Sequence, residues 1–429
     1  MGSFRRQGAG GREQGAGSCL LRGAWCVLLI SALSSQLSAL SPQLSAHSSS
    51  PTALRSLLPA ESLMRILVAN IPLPSNRFLV DLNDALSKHV ELTHSADLFW
   101  SMQGDFDVVH LHFPEYVTFE HEQQYVHGLS DDLIAATEER LQYWGKRAKL
   151  VITRHVLLPH DALKDPQWEK MYEAVYRHIH GVVHFAQASV DEFKQRYAKT
   201  AFVHGQPEHA VVPHHNYTSL PNVISREEAR ERLGISKRSQ VMLVFGAIRN
   251  LEERDLILQT FQGLRAKRKV LLVSRWKETL AKVSWIRLKY WLRDLNRLYY
   301  RLHPSYRFNY GFVEEADTQL YLNAADVLFI PRLKVLNSGN ITLGMTFGKV
   351  VVGPDSWDVG ELLKETGNPV FDPDHPETAV AAMELGLKLA KEGQVGPANQ
   401  TLALEQWSAE QCGERYAQFF KLLVAGVEG

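Results

Sequence analysis

The sequence predicts an α/β protein made of two Rossmann-like domains. Short apolar runs that end in polar residues alternate with helical stretches, which indicates βαβ units and parallel sheets. The same scheme starts a second time near Val241. The 429-residue chain, even without its first 63 residues, also exceeds what one hydrophobic core usually supports.

The first domain is predicted to span residues 64–222. A helix is expected from Phe78 to Lys88, and Pro221 with Asn222 indicates a linker to the second domain. The predicted strands are RILVANIP (65–72), DVVHLHF (107–113), KLVITRH (149–155), GVVHFA (181–186), FVHG (202–205) and AVVPHH (210–215).

The second domain is predicted to span residues 223–403. Its first strand runs from Val241 to Phe245, and the last segment of the chain, 404–429, is predicted to be helical. The further strands are KVLLVS (269–274), YRFNYGF (306–312), DVLFIP (326–331) and KVVVG (349–353).

Charge and cysteine content exclude several classes of function. The 47 basic and 47 acidic side chains balance, so no global field attracts nucleic acid. The three cysteines, Cys19, Cys26 and Cys412, exclude a disulfide framework and favour a reducing compartment. Patterns of dinucleotide oxidoreductases, P-loop kinases and serine hydrolases are absent. We expect a cytoplasmic protein without nucleic-acid partners.

Residues 1–63 differ in composition from the rest of the chain. Arginines precede an apolar run from Ala24 to Leu33, which is too short to span a bilayer as a helix. Basic residues followed by a short apolar run are typical of a signal or transit peptide. The alternative, which we favour, is a disordered or mis-assigned extension, because Met64 directly precedes the first predicted strand.

A loop after the strand DVLFIP is predicted to bind a phosphate. In a parallel sheet this loop faces the ligand crevice, where the next helix presents unpaired N–H groups that favour an anion. Asn337 or Ser338 is expected to cap that helix, with Asn340 in its first turn. Gly339 lets a diphosphate approach the backbone, and Lys334 adds charge. The alternative is an ordinary capped turn.

Segments of both halves resemble glycosyltransferase family 4 enzymes, in the subgroup with a Ser-Gly donor loop. The resemblance covers about residues 64–425 and implies the GT-B architecture, in which two Rossmann-like domains face a central cleft and the terminal helix packs back against the first domain. It rests on VMLVFGAIR (241–249), residues 308–331, SGNITLGMTF (338–347), FDVVHLHFPEY (106–116), LVITRHVLLPHD (150–161), VVHFAQASVDEF (182–193) and residues 211–235.

The resemblance implies that an arginine after the first strand of the second domain holds the donor phosphate. Arg249, which follows Gly246, takes this place and would offset charge on the leaving group. The family often has a Lys-Gly pair next, where this chain has Glu252 and Glu253, so Arg254 is expected to substitute. The alternative for Arg249 is a surface salt bridge with one of these glutamates.

Two further positions of the donor half are compared with the family. Glu361 matches a family glutamate just after the donor loop, and the alternative is that it caps a helix. Gly344 lies where many members carry a glutamate that holds the nucleotide ribose, which the Ser-Gly subgroup tends to lack.

In the first domain the resemblance implies that a histidine contacts the donor sugar. His155 and His160 lie in TRHVLLPHD, which resembles a Thr-x-His-Asn-x-x-Pro-His pattern with Val156 in place of the Asn. His155 is predicted to be catalytic together with Arg249. The alternative is a satisfied structural histidine.

His160 and three other histidines, His110, His112 and His214, are predicted to lie on the acceptor side of the cleft. Alternation on a strand places His110 and His112 on one face, without the carboxylates that a metal site needs. We therefore expect no metal, and we assign His110, His112 and Glu115 to the acceptor side. His214 occurs where the family has Pro-His-Gly, at the domain boundary.

The segment from Lys282 to Phe308 is predicted to form a basic, aromatic amphipathic helix. Such a helix suits a peripheral membrane contact or a lipid-linked acceptor. The alternative is a helix that packs on the sheet with solvated charges.

The resemblance implies a retaining, metal-independent hexosyltransferase without a cofactor. Its partners are a nucleoside diphosphate sugar donor and a glycan, glycolipid or polyprenyl-linked acceptor, as in polysaccharide biosynthesis. Two alternatives remain on the same fold: a degenerate nucleotide-sugar-binding protein and a nucleotide-sugar epimerase or hydrolase.

Overall fold

The computed structural model describes residues 63–159, 165–276, 295 and 297–426. These residues form two parallel six-stranded sheets, each flanked by helices. Every strand pairing in both sheets is parallel, as the βαβ pattern of the sequence predicts.

The first sheet has the strand order β2-β1-β3-β4-β5-β6. Its strands are β1 (Arg65–Val68), β2 (Glu91–His94), β3 (Val108–Leu111), β4 (Lys149–Thr153), β5 (Gly181–His184) and β6 (Glu208–Val211). Its helices are α1 (Arg77–Leu86), α2 (Ala96–Ser101), α3 (Phe119–His127), α4 (Asp131–Gly145), α5 (Gln167–His178) and α6 (Gln187–Arg196). The order reverses between β1 and β3, which is where an open α/β sheet binds its ligand.

The second sheet has the strand order β12-β11-β10-β7-β8-β9, and its order reverses between β7 and β10. Its strands are β7 (Gln240–Ala247), β8 (Lys269–Arg275), β9 (Tyr306–Phe308), β10 (Val327–Phe329), β11 (Val350–Pro354) and β12 (Val370–Phe371). The helices of this half are α7 (Arg226–Arg232), α8 (Leu251–Gly263), α9 (Glu315–Ala324), α10 (Gly339–Thr346), α11 (Trp357–Glu365), α12 (Ala379–Glu392) and α13 (Val395–Gln406), and residues 297–302 are helical as well.

Several local predictions differ from the structure. The short strand β12 was not predicted, and residues 306–308, at the end of the helix predicted from Lys282 to Phe308, form β9. Residues 282–294 and 296 of that predicted helix lie outside the described residues. The edge strand β2 was not predicted, because ELTH is short and carries no apolar run. FVHG is not a strand, since Val203 forms only an isolated bridge with Gly205. The first helix ends at Leu86, two residues before the predicted end.

The last helix, α14 (Ala409–Ala425), packs against α1 of the first half of the chain. A capping box between Ser408 and Gln411 starts it. Its apolar face places Cys412, Tyr416 and Phe420 in one core with strands of the first sheet. The final helix is therefore a layer of the first domain.

Within the described ranges, no helix is long and apolar enough to cross a membrane.

Candidate functional site

The reversal of strand order between β7 and β10 places two loops side by side. Gly246, at the end of β7, has φ +95°, a conformation that favours glycine, and its N–H donates to Ser274 Oγ at 2.8 Å. From the other loop, Asn340 Nδ2 donates to the carbonyl of Phe245 at 2.8 Å. This hydrogen bond joins the first turn of α10 to the end of β7, so Asn340 and Gly246 lie at one crevice.

Arg332 is the cation that sequence reasoning missed in this crevice. It follows β10, its side chain is 15% exposed, and its Nη1 lies 3.4 Å from Ser338 Oγ. Its Nε lies 3.6 Å from Glu253 Oε1, and burial lowers its pKa. Nε is buried and has no hydrogen-bond partner in the described chain. A largely desolvated guanidinium beside a helix N-terminus is well suited to a phosphate.

Arg249 precedes the N-cap residue of α8, the helix that follows β7, and Arg254 lies in the first turn of α8. The N–H of Arg249 donates to Glu253 Oε2 at 2.8 Å, while Asn250 caps α8 by accepting from the N–H of Glu253. Glu253 is therefore held by the helix start and by Arg332. Arg254 pairs with Asp255 at 2.7 Å.

The residues of the loop before α10 make different contacts from those predicted. Ser338 is the N-cap residue of α10, but its side chain makes no capping hydrogen bond. Asn337 does not cap either, because its amide donates to the carbonyl of His155 in the other half of the chain. Lys334 is exposed. The N-terminus of α10 thus carries no side-chain cap.

Gly339 lies where the segment between the two sheets passes the donor loop. A Cβ at this position would lie 2.7 Å from Tyr217 Oη and 3.1 Å from His214 Nε2. His214 Nδ1 also lies 3.1 Å from Thr342 Oγ1 of α10, and burial lowers the pKa of His214 to about 3. A neutral His214 therefore packs on the start of α10, with no room for a side chain at residue 339.

His155 lies in an aromatic pocket at the end of β4. Its ring stacks on Phe113 at a centroid distance of 4.2 Å and packs edge-on to Phe78 at 5.5 Å. Its Nε2 lies 3.0 Å from Nδ1 of His112. Burial, with His112 and His214 nearby, holds the pKa of His155 well below its usual range. The imidazole is neutral, so it is a hydrogen-bonding group rather than an acid.

His110 does not lie on the acceptor side, contrary to the prediction. It is fully buried, with Nε2 at 2.8 Å from Thr153 Oγ1 and its ring packed against Phe420 of α14. His112 shares its face, as alternation predicts, but it is 2% exposed and reaches the crevice only through His155. Alternation in the sequence predicts that His110 and His112 share one face of β3, but it does not predict that α14 covers this face.

Glu115 is buried inside the first domain. Its Oε2 accepts a hydrogen bond of 2.8 Å from Tyr172 of α5, and burial raises its pKa to about 7. This partner corrects the assignment of Glu115 to the open acceptor side, because its carboxyl group faces α5.

Glu361 caps a helix, but one in the opposite half of the chain. Its carboxylate accepts from the N–H groups of Gln187, at 3.1 Å, and Ala188, at 2.5 Å, in the first turn of α6. Nearby Asp358 is 3% exposed, neither carboxyl oxygen has a hydrogen-bond partner in the described chain, and burial raises its pKa to about 8. Sequence reasoning missed this contact between α11 and α6.

Gly344 faces the sheet rather than the crevice. A Cβ there would lie 2.8 Å from Leu328 and 2.9 Å from Val351. A glutamate at this position would enter the core, so the absence of one removes no ribose ligand. His160 lies outside the described residues. In the described ranges, no group of three His, Cys, Asp or Glu side chains is arranged to hold a metal.

Solved structures with this fold are found among glycosyltransferases. HepE of Anabaena, in complex with UDP-glucose, matches with a TM-score of 0.60 and 12% identity, over 84% of this chain and 100% of its own. Sucrose-phosphate synthase of Thermosynechococcus elongatus gives 0.57 and 12%, over 85% and 96%. A glycosyltransferase of Rickettsia africae gives 0.56 and 12%, over 85% and 99%.

No protein-family model matches the chain, and no curated protein matches it. The structural likeness, at this low identity, establishes the fold alone. The chain therefore has the predicted GT-B fold of two Rossmann-like domains, and its assignment to family 4 stays a prediction.

Proposed function

We propose that this protein is a glycosyltransferase that moves a sugar from a nucleoside diphosphate sugar to a glycan, glycolipid or polyprenyl-linked acceptor. One observation carries the proposal. The uncapped start of α10 and the buried Arg332 lie at the β7–β10 crevice, and His214 and the backbone of His155 contact the same loop from the other half. A cationic phosphate site thus adjoins a neutral, aromatic pocket.

The donor diphosphate is placed at the start of α10. Arg332 and Arg249 would offset the charge that develops on the leaving phosphate, and the first-turn N–H groups of α10 would hydrogen bond to it. HepE, which has the same fold, was solved with UDP-glucose, and this supports a nucleotide-sugar donor. Guanidinium groups would supply the charge here, so the proposed reaction is metal-independent.

The donor sugar is placed between the phosphate site and His155. A neutral imidazole donates or accepts a hydrogen bond, so His155 and His214 would orient sugar hydroxyls without protonating them. The leaving phosphate takes the proton of the attacking acceptor hydroxyl, on the same face from which it departs. The reaction is then retaining and needs no carboxylate base.

A peripheral membrane contact through the end of segment 282–308 belongs to this proposal, because it would present a lipid-linked acceptor. In its described part, Leu298 and Leu302 are 49% and 72% exposed beside Arg301. Such a surface suits an anionic bilayer. The full chain should sediment with anionic liposomes at low salt and lose that binding in Leu298→Glu/Leu302→Glu; equal sedimentation of both proteins would contradict the contact.

The decisive experiment is thermal stabilisation of the full chain by a panel of nucleoside diphosphates and their sugars. A ligand at about a hundred times its dissociation constant adds roughly 2.7 kcal/mol. Arg249→Ala should lose the shift. Arg265→Ala is the matched control, because Arg265 is exposed and precedes β8, at the opposite edge of the sheet. No shift with any ligand would reject a donor site.

Turnover of the stabilising donor then separates the rival functions. A transferase releases the nucleoside diphosphate faster when acceptor is added. Donor consumption without acceptor would identify an epimerase or hydrolase, and binding without release would identify a degenerate binding protein.

A further inference from the structure

A second cavity lies at the edge of the second sheet opposite to the donor crevice. It has a volume of about 670 Å³ and opens where β7, β10 and β11 begin, near Gln240, Asp326 and Val350. In a parallel sheet the amino ends of the strands lie away from the crevice at their carboxyl ends. The volume falls in the range of sites that bind small molecules.

The lining of this cavity is strongly basic. Its charged residues are Arg226, Lys237, Arg238, Lys349, Lys391 and Asp326. The one carboxylate is already neutralised, because Asp326 pairs with Arg226 at 2.5 Å and with Arg230 at 2.9 Å.

The other four cations lack a carboxylate partner. In the described chain, none of Lys237, Arg238, Lys349 and Lys391 lies within ion-pair distance of an acidic side chain. Glu392, next to Lys391 in sequence, pairs with Lys388 instead. Five cations and one carboxylate around one concave volume produce a positive potential that favours an anion.

Lys349 is the most enclosed of these cations. Its Nζ donates to the carbonyl of Ala325 over a long 3.3 Å, and burial lowers its pKa to about 8. A desolvated ammonium with one long hydrogen bond is stabilised by a bound anion, because the anion replaces the hydration that burial has removed.

The backbone at the cavity also favours an anion. Helix α13 begins there, and its N-cap residue Gln394 makes no side-chain cap. Gly396, in the first turn, packs so closely on the carbonyl of Gly348 that a side chain would not fit. Of the first turn, Gly396 and Pro397 line the cavity, and only Gly396 has an N–H group, so the backbone contributes less to anion binding than the lysines do.

The lining further restricts the ligand. None of the residues that line the cavity is aromatic, so a nucleobase would find no stacking partner. We propose that this cavity is a second anion site, separate from the donor crevice, for a small non-nucleotide molecule that carries two or more phosphate groups. This site goes beyond the proposed transferase reaction. Phosphorylated metabolites would bind there to the second domain, at the amino ends of its strands.

The test is titration calorimetry of the full chain with inorganic tripolyphosphate. The parent protein carries Arg332→Ala, which disables the donor crevice. Adding Lys237→Ala/Arg238→Ala should weaken binding at least tenfold, and Lys349→Gln should do the same while Lys349→Arg retains binding. The matched control is Lys199→Ala/Lys421→Ala, two exposed lysines outside the cavity that give the same change in charge.

Three outcomes would overturn the proposal. The first is tripolyphosphate binding that is equal in the parent and in Lys237→Ala/Arg238→Ala, and the second is an equal loss in the control. The third is binding of duplex DNA but not of tripolyphosphate, which would assign the surface to nucleic acid. Lys237 and Arg238 are exposed, so their substitution should leave the melting temperature of the unliganded protein unchanged.

Discussion

The two surfaces that meet at the crevice differ in charge: one carries a cation and the other is neutral. On the side of the second domain, Arg332 keeps its guanidinium near Ser338 although burial lowers its pKa. On the side of the first domain, burial lowers the pKa of His155 and His214, and both imidazoles are neutral. One surface retains a cation at the cost of desolvation, and the other excludes charge.

In the proposed transferase reaction, this difference would separate two tasks. A diphosphate requires fixed positive charge, whereas sugar hydroxyls require directional hydrogen bonds without a competing cation. Placing the tasks on different domains lets each surface keep its own polarity. The loop that contains Asn337 and Gly339 joins them, through the His155 carbonyl and the His214 ring.

Loss of the buried cation should give the largest effect on this contrast. Arg332→Ala should weaken binding of the stabilising nucleotide by about 2–3 kcal/mol, which is the usual value of charge-assisted hydrogen bonds. Isothermal titration of the nucleotide measures this. Arg332→Lys should recover part of the affinity, and Arg265→Ala should bind as the wild type does. Unchanged affinity in Arg332→Ala would show that the phosphate does not lie at this residue.

Acid should destabilise the first domain, in whose core His110 is buried. The pKa of His110 falls from about 6.5 in the unfolded chain to about 3 in the fold. The unfolded state therefore binds more protons below pH 6.5, and stability is lost as pH falls through this window. From pH 6.5 to 5.0 one such histidine costs about 2 kcal/mol. Urea unfolding at several pH values should show this loss, and His110→Gln should reduce it by the share of one histidine; an unaltered pH dependence in the variant would contradict the burial of His110.

A side chain at the junction should disturb both surfaces at once. Gly339→Ala places a Cβ 2.7 Å from Tyr217 Oη and should destabilise the protein by about 1–2 kcal/mol through overpacking. Tyr217→Phe removes that oxygen, so the double variant should recover part of the loss. A double-mutant cycle in urea measures this coupling, and strictly additive effects would indicate that the two residues do not touch.

The smallest effect is expected at the contact between α11 and α6. Glu361→Gln removes the negative charge from the N-terminus of α6 and should cost about 1 kcal/mol, as caps usually do. Glu365→Gln, an exposed position on the same helix, is the matched control. Chemical denaturation of both variants provides the comparison, and equal midpoints would argue against the cap in solution.

Sequence patterns located the strand ends better than the partners of side chains. Gly246 and Ser338 were predicted at one crevice because both follow apolar strands, and parallel strands bring such ends to one edge of the sheet. Arg332 also follows an apolar strand, because it comes directly after DVLFIP. A basic residue at this position therefore predicts a cation at the same edge of the sheet.

Residues that contact across the two halves were beyond sequence reasoning. Asn337 was expected to cap its own helix, yet it binds the carbonyl of His155, about 180 residues away in the chain. His110 was placed on the correct face of β3, but the cover comes from α14 near the other end of the chain. Local periodicity determines which side of a strand is buried, whereas long-range packing determines what buries it.

The position of α14 also sets the order in which the protein can be completed during synthesis. Tyr416 and Phe420 belong to the core of the first domain, yet the ribosome makes them only after the second sheet. The first sheet must therefore wait, with an apolar face uncovered, until translation of the second domain has ended. A stop codon just before Ala409 would leave both sheets present, but the first one would lack the part of its core that α14 contributes.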